Sequence, residues 1–84
     1  MPSYIATFHT HLAAMRSLKN VKGHAASAVL SPVPRSLSSS CGTCVRFVAD
    51  DPRPLLALES ERVFQISTDA AGQITYQLIQ SNED

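Results

Sequence analysis

The stretch that most constrains the fold is a helical pattern that lies between two short β-forming segments. Large apolar residues recur at every third position, at Leu12, Met15, Leu18 and Val21, and this stripe indicates an amphipathic helix. Thr10 stands directly before the pattern, where its hydroxyl can accept a hydrogen bond from the first helical turn. We therefore predict a helix that Thr10 caps, with the apolar stripe turned toward the core.

The segments on either side of this helix predict two strands. Residues 4–8 are rich in β-forming side chains, and residues 25–30 are small and apolar, with Gly23 placed to end the helix between them. A strand–helix–strand unit makes its two strands parallel through a right-handed crossover. Residues 31–34 contain two prolines, which cannot donate to a β-ladder, so we expect them to be extended and weakly paired.

The remainder of the chain adds a third strand and a hairpin. Residues 45–49 predict the third strand, and residues 63–67 and 74–79 predict two arms around a turn at 69–72. In the second arm Ile74, Tyr76 and Leu78 alternate with polar residues, which is typical of a half-exposed strand. Between the third strand and the hairpin, Pro54 suits the first turn of a short helix whose buried side would be Leu55, Leu56 and Leu58.

The order of these elements predicts the fold class. A β-α-β-β-(α)-β pattern with a C-terminal hairpin favours an α+β fold, a two-layer sandwich of ferredoxin-like character. We expect residues 1–84 to form a single domain, because 84 residues with 44% apolar content are enough for one small core. The chain contains no apolar run near the roughly 20 residues of a membrane span, and its first residues lack the pattern of a secretory signal. We expect a cytoplasmic protein with no membrane partner.

Charge is distributed unevenly although the net charge is zero. Residues 1–49 carry five basic residues and no acid, whereas residues 50–84 carry two basic and seven acidic residues. The basic half favours an anionic substrate or an acidic partner. Its five cations are too few, and too little interleaved with aromatic residues, to indicate nucleic-acid binding.

Both cysteines lie in one short stretch of the basic half. Cys41 and Cys44 follow three consecutive serines, and arginines stand on either side. Thiolates are the reactive form of cysteine, and nearby cations or backbone N–H groups favour them. In a reducing compartment, two cysteines at this spacing indicate redox, carrier or metal chemistry before a structural disulfide.

These residues carry a resemblance to a known family. The Thr-Phe-His-Thr segment at 7–10, the Pro-Val-Pro-Arg-Ser-Leu-Ser-Ser-Ser-Cys-Gly segment at 32–42 and the Arg-Phe pair at 46–47 are similar to small bacterial domains described as Se/S carrier-like. The likeness covers about residues 4–48. It implies that Cys41 is the carrier thiol, surrounded by Arg35, Ser38, Ser39, Ser40, Gly42 and Arg46. Cys44 departs from the family's commonest form, which has an apolar residue at that position.

The resemblance implies a carrier that holds sulfur or selenium on Cys41 for transfer between donor and acceptor proteins. Cys44 would then be an auxiliary thiol that resolves a persulfide and leaves a disulfide. Such a protein is a binding protein more than a multiple-turnover enzyme, and it needs no cofactor. An exposed strand edge would also allow a homodimer.

Three other interpretations of the two cysteines stay open. The first is a thiol–disulfide oxidoreductase, although thioredoxin-type motifs open a helix and Cys44 leads into a predicted strand. The second is a zinc- or iron-binding interaction module in which His9, His11 or His24 completes the ligand set, although half of a usual site is missing. The third is a purely structural one, with both cysteines as small buried side chains.

Overall fold

The protein is described by a computed structural model, which covers residues 2–37, 41–51 and 60–82. These residues form five strands and one helix, in the order β1 Ser3–Thr7, α1 His11–Lys22, β2 Ser27–Pro32, β3 Thr43–Val48, β4 Arg62–Thr68 and β5 Ile74–Ser81. In this part of the chain, no helix is both long enough and apolar enough to cross a bilayer.

The five strands form one antiparallel sheet with β1 at its centre. The strand order is β2-β3-β1-β4-β5, and every neighbouring pair is antiparallel. Since β1 and β2 are both antiparallel to the strand between them, they run parallel to each other, as predicted for the two strands that flank α1. The hairpin of β4 and β5 lies on the other side of β1.

The α+β class is confirmed, with one helix and a five-stranded sheet in the described residues. A ferredoxin-like fold needs a second helix between β3 and β4. The predicted helix that begins at Pro54 falls on residues 52–59, which lie outside the described residues, so the ferredoxin-like topology stays a prediction.

The second strand differs from its prediction at both ends. It covers residues 27–32 instead of 25–30, so Ser31 and Pro32 are paired with β3. The prediction that they are weakly paired was therefore wrong. Pro32 is tolerated because β2 is an edge strand and the proline is its last residue, opposite Thr43.

The start of α1 confirms the predicted cap. Thr10 has an extended backbone, and its Oγ1 accepts a hydrogen bond of 3.0 Å from the N–H of Ala13. The helix therefore begins shortly after β1, which places its N-terminus at one end of the sheet.

The face that α1 buries agrees with the predicted stripe only in its later part. Leu12 and Met15 are 60% and 47% exposed, whereas Val21 is buried and Leu18 is partly buried. The other buried helix residues are the small side chains Ala13, Ala14 and Ser17. Small residues allow the helix to approach the sheet closely, so the larger side chains at the start of the stripe lie at its flank.

The core on the helix side of the sheet is built by alternate residues of the central strands. Phe8 and Phe47 are the largest side chains that are fully buried, and the rings of Tyr4 and Phe47 stack with centroids 5.2 Å apart. Successive residues of a strand point to opposite faces, so Ile5 and Cys44 belong to the face away from the helix. Both are fully buried there.

Candidate functional site

The two cysteines lie where the loop after β2 enters β3, in a stretch of residues 41–44 that we call the thiol segment. Its backbone is joined to the end of β2, because the carbonyl of Gly42 accepts a hydrogen bond of 3.1 Å from the N–H of Val33. Gly42 has a φ of 74°, in the left-handed region that favours glycine. The thiol segment is therefore a turn that leads directly into a paired strand.

Cys44 is fully buried inside the sheet. It pairs with Thr7 of β1 on one side and Ser31 of β2 on the other, and its thiol lies 3.7 Å from the carbonyl oxygen of Pro32. Burial raises the pKa of the Cys44 thiol, Arg46 and the Ser31 hydroxyl oppose the rise, and the nearby Cys41 thiol adds to it. Cys44 is consequently a protonated thiol at neutral pH.

Cys41 has different surroundings. It is partly exposed, and its thiol donates a weak hydrogen bond of 3.5 Å to the carbonyl oxygen of Thr43. Its side chain packs against the edge of the core on the helix side of the sheet. A reagent can therefore reach Cys41 from solvent, whereas Cys44 is inaccessible from solvent.

The two thiols also belong to different sides of the sheet. Cys44 alternates with Val45, which is part of the core under α1, so Cys44 points to the face away from the helix. Cys41 packs on the helix side. Both cysteines are free thiols.

A contact between distant parts of the chain holds the N-terminus of α1 against the thiol segment. The Nδ1 of His11 lies 3.3 Å from the Oγ1 of Thr43, at hydrogen-bonding distance. This brings the positive end of the helix dipole beside the segment that holds Cys41. Sequence reasoning considered His11 near the cysteines but missed Thr43, because 32 residues separate the two partners.

A buried carboxylate that sequence reasoning missed lies at the same end of the sheet. Glu61 is 3% exposed, and its carboxylate oxygens lie 3.3 Å from the Nδ1 of His9 and 3.4 Å from the Oγ1 of Thr7, which donates to it. Thr7 is also the β1 partner of Cys44. Nothing in the sequence around Glu61 signalled that this carboxylate would be buried.

The other predicted site residues lie at several places. Arg35 is exposed in the loop after β2, and Arg46 is exposed on β3, on the same face of the sheet as Cys44. Gly42 lies between the two thiols in sequence. Ser38, Ser39 and Ser40 lie outside the described residues. The structure thus associates Arg46 with Cys44 through its effect on the pKa of that thiol, and the roles given to all six residues stay predictions.

The described residues contain no group of three His, Cys, Asp or Glu side chains close enough together to hold a metal ion. His9 and His11 lie at the N-terminal end of α1, whereas His24 follows its C-terminal end. A helix of 12 residues is about 18 Å long, so His24 is remote from the other two.

Comparison with protein families gives one match. A family model described as "Putative Se/S carrier protein-like" matches residues 3–68, which is most of the chain. The chain belongs to this family. The match begins at the first residue of β1 and ends with β4, so it extends beyond the likeness to residues 4–48 and includes part of the acidic half. Among curated proteins and among solved structures, no match is found.

Proposed function

We propose that this protein carries sulfur or selenium on Cys41 and passes it from a donor protein to an acceptor. The observation that carries the proposal is the difference between the two thiols: Cys41 is accessible, and Cys44 is fully buried with a raised pKa. Within the Se/S carrier-like family, this arrangement supports a single working thiol.

Loading requires one exchange of bonds. The thiolate of Cys41 attacks the outer sulfur of a persulfide on the donor enzyme, a new S–S bond forms on Cys41, and the donor's S–S bond breaks. The donor leaves as a thiolate, so no outside oxidant or reductant is consumed. Delivery is the reverse exchange, in which an acceptor nucleophile takes the outer atom and Cys41 leaves as a thiolate. Selenium follows the same steps when it replaces the outer sulfur.

The surroundings of Cys41 support an exchange between two proteins. Among the described residues, a Cβ placed on the neighbouring Gly42 would meet nothing within 4 Å, so no described side chain blocks a partner's approach to the backbone beside the thiol. The N-terminus of α1, tied to the thiol segment by His11 and Thr43, favours the anionic sulfur that each exchange produces. Arg35, exposed in the loop after β2, would add positive charge near Cys41, whereas Arg46 lies on the opposite face of the sheet.

The burial of Cys44 supports a carrier over an oxidoreductase. To form a disulfide, Cys44 must lose its proton and reach Cys41, but its thiol is held inside the β1–β3–β2 ladder and points to the opposite face. A persulfide on Cys41 is thereby shielded from premature release. Resolution by Cys44 would need the end of the β2–β3 pair to open. Reduced thiols at both positions suit the cytoplasm, where we place the carrier.

The test is intact mass spectrometry of the unreduced protein after incubation with a cysteine desulfurase and cysteine. We expect the wild type to gain one sulfur that a reductant removes. We expect Cys41→Ser to gain none and Cys44→Ser to load like the wild type. Because Cys44→Ser keeps the size of the side chain, it is the matched control for a second thiol.

Two results would contradict the proposal. A protein that only loses two hydrogens, with both serine variants unable to do so, would act as a dithiol oxidoreductase. A protein that holds zinc in native mass spectra, and loses it in either variant, would be a metal-binding module.

A further inference from the structure

The exposed part of α1 lines an apolar groove. Leu12 is 60% exposed and Met15 is 47% exposed, and together with the partly buried Leu18 and Leu30 they line a cavity of about 300 Å³ between the helix and β2. Exposed apolar side chains that cluster in this way, beside a concave surface, are typical of a place where another molecule binds.

Positive charge surrounds this groove. Arg16, Lys19 and Lys22 line it together with the apolar residues, and all three are exposed. No acidic residue occurs in α1 or anywhere else in residues 1–49. The groove therefore combines an apolar floor with a basic rim, which complements an acidic and apolar partner.

One end of the groove lies close to the thiol segment, because Leu12 lines the groove and the preceding His11 contacts Thr43. Leu18, Leu30 and Cys41 all pack against the same core cluster on the helix side of the sheet. The Nδ1 of His11 in α1 also lies 3.3 Å from the Oγ1 of Thr43 in the thiol segment. A protein segment that lies in the groove would therefore be positioned beside Cys41.

We infer that this groove is a docking site for an acidic amphipathic segment of a partner protein, which positions the partner's reactive sulfur or selenium beside Cys41. The docking chemistry follows from the groove alone, and the delivery to Cys41 rests on the proposed function. Apolar side chains of the segment would cover Leu12 and Met15, and its carboxylates would face Lys19 and Lys22.

A protein segment fits this surface better than a membrane does. The groove is concave and lies between a helix and a strand, whereas a helix that binds in a bilayer interface presents a broad apolar face. The inner face of α1 is occupied by its packing on the sheet through Ala13, Ala14 and Ser17. Only Leu12 and Met15 are exposed among the large apolar residues of the helix.

The first experiment uses a designed helical peptide with leucines on one face and glutamates on the other, labelled for fluorescence anisotropy. We expect the wild-type protein to bind it. We expect a peptide of identical leucine pattern with lysines in place of the glutamates to bind at least about tenfold more weakly, because it would face the basic rim. Equal binding of the two peptides would overturn the inference.

Variants locate the site. Met15→Ser and Lys19→Glu each change an exposed helix residue, and we expect each to weaken binding of the acidic peptide by about tenfold. Leu78→Ser is the matched control, because Leu78 is an equally exposed apolar residue on β5, at 50%. An equal loss in Leu78→Ser would mean that the peptide binds exposed apolar surface without selection, and would overturn the inference.

Two further measurements test other occupants of the groove. Sedimentation velocity would show a dimer that Met15→Ser dissociates if the groove binds a second copy of the chain. Co-sedimentation with phosphatidylcholine vesicles containing phosphatidylglycerol, lost in Lys19→Glu, would show a membrane surface. Either result would overturn the choice of a protein segment, and we expect neither.

The delivery step is tested separately from the proposed function. Sulfur is loaded onto the wild type and Met15→Ser from two donors, a cysteine desulfurase and a small-molecule persulfide. We expect Met15→Ser to load normally from the small persulfide but about tenfold more slowly from the enzyme. If neither protein loads from either donor, the carrier function fails. If both load equally from the enzyme, the groove has no part in delivery.

Discussion

The thiol segment, residues 41–44, and the hairpin turn, residues 69–73, are two connections that use the same backbone feature. Each leads into a strand that is paired antiparallel, and each contains a glycine in the left-handed region, Gly42 with a φ of 74° and Gly72 with a φ of 82°. Among the described residues, a Cβ placed on either glycine would meet no atom within 4 Å. The two connections differ in what holds them.

The hairpin turn is closed by its own residues. One carboxylate oxygen of Asp69 accepts hydrogen bonds of 2.9 Å from the N–H groups of Ala71 and Gln73, and the backbone of Asp69 bonds to Gln73 and Gly72. All of these partners lie within five consecutive residues. A turn of this kind is determined by its local sequence.

The thiol segment is held by residues from other elements. The N–H of Val33, directly after β2, bonds to the carbonyl of Gly42, and His11 of α1 contacts Thr43. Cys44 is fixed inside the ladder next to Thr7 of β1. The position of the accessible thiol, Cys41, therefore depends on contacts made far away in the sequence.

The largest difference is expected in the strands that support the two regions. Phe47→Ala removes a fully buried ring from β3 and is expected to lower the free energy of unfolding by about 3–5 kcal/mol. Leu78→Ala on β5 removes a half-exposed side chain, and we expect a loss of less than about 1.5 kcal/mol. Urea unfolding of both variants measures this. Equal losses would show that β3 and β5 support the fold to the same extent.

The next effect is a dependence of stability on alkaline pH that comes from Cys44. Its pKa is raised above the ordinary value of 9.0, so the folded state keeps the thiol proton where the unfolded state loses it. This stability is complete below pH 9 and is lost as the pH rises through the folded pKa, by up to about 1.4 kcal/mol per pH unit.

Unfolding of the wild type and of Cys44→Ala between about pH 7 and about pH 10.5 measures this loss, because other groups titrate alike in both proteins. The wild type should lose stability relative to the variant as the pH rises. If the free energies of unfolding of the two proteins change in parallel with pH, the pKa of the Cys44 thiol is the same in the folded and unfolded states.

The two glycines provide a matched pair. Gly42→Ala and Gly72→Ala each force alanine into the left-handed region, and we expect each to lower the free energy of unfolding by about 1 kcal/mol. Only Gly42→Ala should slow sulfur loading of Cys41, since only its backbone strain reaches the thiol segment. The comparison fails if Gly72→Ala slows loading to the same degree.

The smallest effect is expected from two threonine hydroxyls. Thr43→Val removes the contact with His11, and Thr75→Val removes a hydrogen bond of 3.4 Å to the carbonyl of Ser67 in the hairpin. Each should cost about 0.5 kcal/mol, because both bonds are exposed. Amide hydrogen exchange should speed up at residues 42–44 only in Thr43→Val. Faster exchange there in Thr75→Val would show that the two regions are coupled.

The same contrast explains how much of the fold the sequence revealed. The hairpin and the cap of α1 are determined by residues a few positions apart, such as Asp69 and Thr10, and both were predicted. The contact between His11 and Thr43 spans 32 residues and appears only when β1 and β3 are paired. Alternation along β3 places Cys44 and Arg46 on one face, yet the first is buried and the second exposed, which no pattern in the strand indicates.

The first half of the helix stripe, Leu12 and Met15, was wrongly predicted for a different reason. Leu12 and Met15 have the spacing and size of core residues, but α1 lies on the sheet through Ala13, Ala14 and Ser17. A prediction of the buried helix face from hydrophobicity alone favours the large apolar side chains. The small ones decide the orientation, because they permit the closer approach of helix and sheet.

The burial of Cys44 gives the chain a built-in reporter of its own opening. The chain has two cysteines, of which only Cys41 is accessible. An aromatic disulfide reagent would therefore label one thiol per chain in the folded protein and two thiols per chain after denaturation. The rate at which the second sulfur is labelled under native conditions would measure how often the β2–β3–β1 ladder separates. Under the proposed function, opening of this ladder would let Cys44 reach a persulfide on Cys41, so the labelling rate of Cys44 would report how long a loaded protein keeps its sulfur.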